Sequence, residues 1–277
     1  MSLFVASLNS GSNGNCYYIS DGNSAVLIDV GISCREVERR MKRLQLPLDQ
    51  VKAIFITHEH SDHIRGVPVL SKKYDLPVFI TPLTAQKCTG LIKELIRPFT
   101  AHQPVQVGEL TVIGFPKWHD AVDPHSFIVS NHQVTVGIFT DIGYVCEEVK
   151  KYFSQCHAAF LESNYDEVML ETGGYPRRLV NRIRGSKGHL SNLQALELFL
   201  REGTPHLTHL FLAHLSENNN SPKIVNNMFQ RCAGETLAVI ASRYQETNVF
   251  EIKANYQVDL SKRKSLKRPM VKQLTLW

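Results

Sequence analysis

The feature that most constrains this chain is a cluster of imidazole and carboxylate side chains directly after a short apolar run. The run covers residues 53–56, and the cluster consists of His58, His60, Asp62 and His63. Side chains two residues apart at the end of a strand lie on the same face, so His58 and His60 can bind one metal ion. The turn that follows directs Asp62 and His63 towards a second ion. The spacing therefore predicts a two-metal site at the end of a buried strand.

Length and composition are typical of one globular domain. The chain has 277 residues, of which 43% are hydrophobic and 21% are charged, enough to fill a core. No apolar run approaches the roughly 18 residues of a membrane span, and the first ten residues lack the pattern of a secretory signal. The six cysteines are scattered without a CxxC pair, which favours reduced thiols. We therefore expect a cytoplasmic protein with no membrane segment.

Positive charge is concentrated near the C-terminal end. Residues 262–277 hold six of the 31 Lys and Arg residues and no acidic residue, so the rest of the chain has 25 cationic against 26 acidic residues. We divide the chain into a catalytic domain of residues 1–258 and a basic tail of residues 259–277. Such a tail is expected to attract a polyanion, although charge runs are usually solvated.

The hydrophobic pattern predicts strands first and mixed strands and helices afterwards. Ser33 and Glu36 form a capping box ahead of a helical apolar pattern that ends at Leu44, which predicts a helix of about three turns. Further helices are predicted near residues 63–74, 84–96, 146–155, 176–184, 192–202 and 222–232. Strands are predicted at LFVASL, CYYIS, AVLIDVG, AIFIT, PVFIT, PVQV, LTVIGF, SFIVS, VTVGIFT, HLFLAH, LAVIAS and NVFEI. This order favours an α/β sandwich with sheets inside and helices outside.

The cluster matches the HxHxDH motif, in which the chain resembles the metallo-β-lactamase superfamily. The resemblance implies a four-layer αββα sandwich that usually binds two metal ions. It also implies three later ligands, and KWHD, IFTDIG and LFLAHLS supply them in the expected contexts. The implied ligands are His58, His60 and His119 for the first ion, Asp62, His63 and His214 for the second, and Asp141 between the two. Zinc suits this imidazole-rich set, and manganese is the alternative.

Two further motifs narrow the chemistry. LESN and GHLSN, which contain Glu162 and His189, resemble motifs beside the metals in phosphodiesterase members of the superfamily. In those enzymes the histidine, oriented by the glutamate, protonates the leaving oxygen. The resemblance thus implies that His189 and Glu162 are catalytic, and that Asp62 helps to orient the nucleophile. Taken alone, Glu162 is equally compatible with a buried structural acid.

A longer resemblance, from about residue 3 to residue 255, is to the YycJ-type branch of bacterial metallohydrolases. It rests on SGSNGNC, LIDVG, THEHSDHIRGV, LESN, GHLSN and AHLSENN. The resemblance to this branch implies that the chain is a nuclease. In the glycine-rich segment, Ser12, Asn13, Gly14 and Asn15 are expected to contact a substrate phosphate, and an ordinary glycine-rich β-turn is the alternative.

The residues together predict a two-metal hydrolase, specifically a phosphodiesterase or nuclease that acts on DNA or RNA. A thioesterase or acyl hydrolase of the glyoxalase II type shares the metal motif, but Glu162, His189 and the basic tail favour the phosphodiesterase. A β-lactamase is disfavoured because a cytosolic chain meets little antibiotic. A non-catalytic, metal-stabilised adaptor for DNA replication or repair is the third hypothesis, which turnover assays on metal-loaded protein distinguish.

The last five residues resemble the Gln-Leu-x-Leu-Phe peptide by which bacterial replication and repair proteins bind the sliding clamp. Gln273 is expected to hydrogen-bond at the rim of an apolar groove, which Leu274, Leu276 and Trp277 would fill. Trp277 replaces the Phe of that peptide. From composition alone, a terminal strand or a frayed end fits equally well.

Overall fold

The apolar runs of the sequence become the strands of two seven-stranded sheets in the computed structural model, which describes residues 2–264. The first sheet contains, in spatial order, β14 (Phe250–Lys253), β1 (Ser2–Asn9), β2 (Cys16–Ser20), β3 (Ala25–Ile28), β4 (Val51–Phe55), β5 (Val78–Phe79) and β6 (Ile96–Arg97). The second contains β13 (Leu237–Ile240), β12 (His209–Ala213), β11 (Ala158–Glu162), β10 (Thr135–Phe139), β9 (His125–Ser130), β8 (Leu110–Pro116) and β7 (Pro104–Val107).

Helices connect the strands of both sheets, and several of them cover the outer faces. They are α1 (Cys34–Arg43), α2 (Ser61–Ile64), α3 (Val67–Tyr74), α4 (Pro82–Lys87), α5 (Glu147–Phe153), α6 (Glu167–Thr172), α7 (Arg177–Arg184), α8 (Asn192–Glu202) and α9 (Pro222–Cys232). Short 3-10 turns lie at Leu48–Gln50, Lys93–Leu95 and Leu260–Lys262. The Ser33 side chain accepts a hydrogen bond from the Glu36 N–H, so the predicted start of α1 is confirmed.

Three hydrophobic clusters separate four layers. One lies between the sheets, where the ring of Tyr17 from β2 is 4.9 Å from that of Phe160 from β11. A second joins the first sheet to α1 and α3, and the third joins the second sheet to α5, α8 and α9. Both sheets thus bury their two faces, which confirms the predicted αββα sandwich.

Two of the predicted helices differ in the structure. The one near residues 63–74 is divided at Gly66, whose N–H donates to the Val30 carbonyl and whose added Cβ would lie 2.0 Å from the Ile32 oxygen. The one near residues 84–96 is wrong beyond α4, because Ile96 pairs with Val78 in the first sheet. The sequence patterns also missed β11, a short apolar strand between β10 and β12, and the helix α6.

The described part of the basic tail, residues 259–264, contacts the domain. The Arg263 guanidinium lies 4.3 Å from the Phe199 ring centroid and donates to the Thr236 hydroxyl at 3.1 Å, while Lys262 forms an ion pair with Glu235. Two cations of the tail therefore hold it against the helical layer. Within residues 2–264, none of the helices has the length and apolar character needed to cross a membrane.

Candidate metal centre

The predicted ligands meet where strands of both sheets end. Strands β3 to β6 are parallel, as are β10 to β13, so within each set the carboxyl ends share one edge. The segment that follows β4 carries the HxHxDH motif. In the second sheet, His119, Asp141 and His214 follow β8, β10 and β12, and Glu162 is the last residue of β11. Neither sheet alone supplies the whole ligand set.

His58, His60 and His119 form the first potential ligand group. One nitrogen of each ring lies within 4.8 Å of those of the other two. The Nε2 atom of His58 is 3.0 Å from Nδ1 of His60. His58 and His119 are buried, and His60 is half-buried. The group that the resemblance implied for the first ion is therefore brought together.

Asp62, His63 and His214 form the second group, again within 4.8 Å of one another. Asp141 lies between the two groups. Its Oδ2 is 3.1 Å from His63 Nε2, and its Oδ1 is 3.5 Å from His214 Nε2 and 3.8 Å from His119 Nε2. Asp141 thus lies next to members of both groups.

Hydrogen bonds hold three of the imidazoles with Nε2 directed into the cluster. The Nδ1–H groups of His63, His119 and His214 donate to Asp29 Oδ2 at 2.7 Å, the Gly188 carbonyl at 3.0 Å and Glu162 Oε1 at 3.1 Å. Such outer partners fix the tautomer and orientation of metal-binding histidines.

Buried polar atoms without hydrogen-bond partners test whether a metal fits here. Among the described residues, His119 Nε2, His214 Nε2 and Asp141 Oδ2 have no such partner. Burying an unsatisfied polar atom costs about 1–3 kcal/mol, and the three atoms belong to the two ligand groups and to the carboxylate between them. Divalent cations held by the two groups would satisfy these atoms, so the donor set fits metal ions.

The electrostatics agree with this fit. Burial lowers the pKa of His58 and lowers the pKa of His119 to about 4, which leaves both rings neutral, as metal ligation requires. Burial opposes ionisation of Asp141, but the charges of His214 and His63 outweigh it and hold the pKa of that carboxyl well below its usual range. The first group thus offers two neutral imidazoles, and the carboxylate of Asp141 beside it is ionised.

Backbone strain marks the same positions. Asp29, Asp141 and His214 adopt φ of 59°, 55° and 55°, a left-handed conformation that is uncommon outside glycine. Each follows the end of a strand in the parallel parts of the sheets. Such residues cost about 1–3 kcal/mol each and cluster at functional sites. Two of these three strained residues are predicted ligands.

Sequence reasoning assigned no role to Asp29 and Thr57, although both were part of matching segments. Asp29 is fully buried, and its carboxylate accepts hydrogen bonds from Thr57 N–H at 2.9 Å, Thr57 Oγ1 at 2.8 Å and His63 Nδ1 at 2.7 Å. The sequence did contain a signal for them, because each is a polar residue that comes after a buried strand. Asp29 follows β3 and Thr57 comes after its neighbour β4. Together these two residues orient the HxHxDH segment from behind.

Glu162 and His189 lie side by side next to the ligands. His189 Nδ1–H donates to Glu162 Oε1 at 2.7 Å, and Glu162 Oε2 accepts from the N–H groups of Ile142 and Leu190. Burial would raise the pKa of Glu162, but the charge and the hydrogen bond of His189 outweigh it and lower this pKa to about 2. Glu162 Oε1 also accepts from His214 Nδ1. The Glu162 carboxylate therefore orients both His214, a predicted ligand, and His189 beside it.

The glycine-rich segment forms a turn beside the second ligand group. Gly14 has φ of 151°, and a Cβ there would lie 2.6 Å from Ile32. Ser12 and Asn13 are exposed, whereas Asn15 is fully buried. The Asn15 amide is 3.3 Å from Asp62 Oδ2 and 3.1 Å from His63 Nε2. Asn15 therefore contacts two potential ligands, a role that the sequence did not indicate.

Two sheets that enclose a buried histidine and carboxylate centre define the class of this protein as a metal-dependent hydrolase with an αββα fold. The sequence model of the metallo-β-lactamase superfamily matches residues 10–180. The chain belongs to the metallo-β-lactamase superfamily.

Individual relatives cover most of the chain. Exodeoxyribonuclease YycJ of Bacillus anthracis is 34% identical over 228 residues, which are 81% of this chain and 86% of the relative. Exodeoxyribonuclease WalJ of Streptococcus pneumoniae is 30% identical over 225 residues, 79% of this chain and 84% of the relative. The crystal structure of the metallo-β-lactamase fold protein YhfI from Bacillus subtilis superposes with a TM-score of 0.69 at 17% identity, covering 91% of this chain and 100% of YhfI. The resemblance to the YycJ-type branch is thereby confirmed.

Proposed function

We propose that the chain is a two-metal phosphodiesterase that hydrolyses nucleic acid, with DNA as the preferred substrate. The observation that carries the proposal is the Glu162–His189 pair beside the ligand cluster. Glu162 is fully buried, whereas 21% of the His189 side chain is exposed. A carboxylate that accepts from Nδ1–H behind an accessible imidazole fixes the ring so that Nε2 can reach a substrate, which is the geometry a general acid needs. His189 can therefore donate a proton to the departing oxygen of a phosphodiester.

The proposed ligands are those of the two groups described above, with Asp141 between them. Two bound divalent metals, zinc or manganese, would activate a water molecule and stabilise negative charge on the attacked phosphate. Asp62 Oδ2 lies 3.5 Å from both His63 Nε2 and His214 Nε2. Burial opposes the charge on Asp62. The positive charge of His63, together with hydrogen bonds from His214 and His63, outweighs burial and lowers the pKa of the Asp62 carboxyl. Asp62 can thus act both as a ligand and as an acceptor that orients the attacking water.

The turn at residues 11–15 is the proposed phosphate contact. Ser12 and Asn13 are its exposed members, and the Arg65 guanidinium donates to the Asn13 carbonyl at 2.7 Å. The Asn13 amide in turn donates to the Arg243 carbonyl at 2.8 Å. Backbone N–H groups in such a turn, together with adjacent Arg side chains, are suited to a phosphate. Gly14 allows the turn its conformation, while Asn15 supports Asp62 from inside.

The two bacterial relatives support DNA as the substrate, since both bear the name exodeoxyribonuclease. The deciding experiment is incubation of the full-length protein with end-labelled single- and double-stranded DNA and RNA in the presence of Mn²⁺ or Zn²⁺. We expect metal-dependent shortening of DNA. Metal-loaded protein that cleaves none of the four substrates would contradict the proposal and favour the non-catalytic adaptor.

His189→Ala tests the acid role within the same assay. The variant should keep its metals and lose roughly 10²–10⁴-fold in kcat on DNA, whose leaving group is poor. A nitrophenyl phosphodiester, which needs little protonation, should lose much less. The matched control is His132→Ala, because His132 lies in the exposed turn between β9 and β10 and should leave both rates unchanged. Equal losses on both substrates would exclude proton donation by His189.

The C-terminal peptide is a separate proposal. Gln273, Leu274, Leu276 and Trp277 lie outside the described residues, so their proposed binding to the bacterial sliding clamp rests on the sequence alone. Tethering to a DNA-encircling ring in the cytoplasm would raise the local concentration of substrate. Titration of a peptide of residues 268–277 against purified clamp should show saturable binding. Loss of binding in a peptide with Leu276→Ala and Trp277→Ala is the expected control.

A further inference from the structure

Trp118 and Tyr144 form an exposed aromatic pair beside the metal centre, called here the aromatic shelf. Their ring centroids are 5.4 Å apart, and the two residues are 47% and 37% exposed. Each lies on a loop that carries a predicted ligand, since Trp118 precedes His119 and Tyr144 follows Asp141 by three residues. The Gly143 N–H donates to the Trp118 carbonyl at 2.7 Å and joins the two loops. The backbone thus fixes the shelf relative to the ligands.

Close packing restricts the loops that carry the shelf. A Cβ added at Gly143 would lie 2.1 Å from the Ser186 carbonyl oxygen and 2.7 Å from Lys187 Cα. The segment it touches, residues 186–188, leads directly into His189. The Gly188 carbonyl also accepts the hydrogen bond from His119 Nδ1. The shelf therefore lies where the loops of a ligand, the bridging carboxylate and the general acid meet.

Cationic side chains accompany the shelf. Lys187 is exposed on the segment that contacts Gly143. Arg182 forms a 2.6 Å ion pair with Asp120, which follows His119, and 61% of the Arg182 side chain is exposed. Exposed aromatic rings next to cations are the combination that binds single-stranded nucleic acid, because bases stack on the rings while the cations contact phosphates.

We propose that the aromatic shelf stacks on the nucleobase next to the scissile phosphate and that Lys187 contacts an adjoining phosphate. This inference rests on the proposed function and adds a binding surface to it. Stacking on an aromatic side chain strengthens binding by roughly 5- to 150-fold per base. Every base has an aromatic face, so the shelf favours unpaired ends over duplex without reading their sequence.

Fluorescence allows a test that is independent of turnover. The chain has two tryptophans, Trp118 and Trp277, so Trp277→Phe leaves Trp118 as the reporter. A phosphorothioate oligothymidylate, which resists hydrolysis, should quench this fluorescence saturably. The control is an abasic phosphorothioate strand of the same length. Anisotropy of labelled strands should give roughly 5- to 150-fold tighter binding for the strand with bases, and equal affinities would overturn the proposal.

Variants test whether the tighter binding of the strand with bases depends on the shelf. Trp118→Ala with Tyr144→Ala should bring the affinity ratio of the two strands close to one, while Trp118→Phe retains most of it. Tyr256→Ala is the matched control, since Tyr256 is 55% exposed but lies beside Thr208 and Leu237 at the opposite ends of the strands. Metal content and thermal midpoint verify that the variants fold. If the affinity ratio of the two strands is unchanged in the double variant, base stacking on the shelf is overturned. A protein partner would then be the remaining candidate for binding at the shelf.

The outcomes also separate this inference from the proposed function. A base preference that depends on the shelf, combined with no cleavage of ordinary DNA, would support the shelf and contradict the hydrolysis. Cleavage of DNA without any base preference would support the hydrolysis and overturn the shelf.

Discussion

Replacement of Asp29 by Asn should weaken metal binding although Asp29 is not a ligand. Its carboxylate is an acceptor for all three of its hydrogen bonds, two from Thr57 and one from His63 Nδ1. Asn has nearly the same shape but replaces one oxygen with an NH₂ group. If the remaining oxygen still accepts from the Thr57 N–H, the new amide faces Thr57 Oγ1 and His63 Nδ1–H. Two donors then oppose each other at a separation of 2.7 Å.

His63 can relieve that opposition by moving its proton to Nε2. This nitrogen is the one that lies 3.1 Å from Asp141 and 3.5 Å from Asp62, and a protonated Nε2 cannot bind a metal. Loss of an orienting partner behind a ligand costs roughly 10–100-fold in metal affinity, or about 1.4–2.7 kcal/mol. Loss of one hydrogen bond to a charged group should also lower the free energy of unfolding of the metal-free protein by about 1.5–3 kcal/mol.

Competition with a chromophoric chelator measures the zinc affinity, and denaturant unfolding of the metal-free protein measures the stability. Asp166→Asn is the matched control, because Asp166 caps α6 through the N–H groups of Val168 and Met169, and Asn caps equally well. The control should leave both quantities unchanged. Zinc affinity equal to that of the wild type in Asp29→Asn would refute the argument, since His63 would then keep its orientation without the carboxylate.

Three further outcomes are expected. Asp141→Asn should lose bound metal and hydrolysis together, as measured by metal analysis and turnover, and full occupancy with normal turnover would exclude Asp141 as a ligand. Burial lowers the pKa of His157, whose Nδ1 accepts from Thr135 N–H, so its stabilising contribution is complete above pH 6.5 and is lost as the pH falls below it. Denaturant unfolding of His157→Gln should therefore show a shallower acid decline than wild type, and identical declines would contradict this. Arg263→Ala removes the contact with Phe199 and should lower the free energy of unfolding by about 1–2 kcal/mol, whereas an unchanged thermal midpoint would show that the contact contributes nothing.

Local spacing was sufficient for the first part of the site. His58 and His60 stand two residues apart behind a buried strand, and this short-range geometry follows from the chain itself. His119, Asp141 and His214 required the family resemblance, because each is an isolated polar residue after a strand. Nothing in their immediate neighbourhood predicts that those strands end at one edge of the sandwich.

Contacts between distant segments explain what the sequence patterns missed. Asp29 is important because β3 and β4 are parallel neighbours whose ends place it against Thr57. The helix predicted for residues 84–96 fails beyond α4 because a sheet partner is available to Ile96. The strand β11 was missed because the run AAFLE is short and does not alternate, since helices and the other sheet bury both of its faces. In each case the deciding neighbour is remote in the chain.

The sharing of ligands between the two sheets has a consequence for the rest of the core. An ion that binds only the assembled centre stabilises the packing of the two sheets against each other. By linkage, a substitution that loosens this packing lowers the affinity for the ion. A substitution at the contact between Tyr17 and Phe160 can therefore lower metal affinity without touching a ligand. Metal supply in the cell would then determine how many such substitutions the chain tolerates. Variants that survive where the bound metal is plentiful would unfold when it is scarce, so metal supply would set how far this core can change.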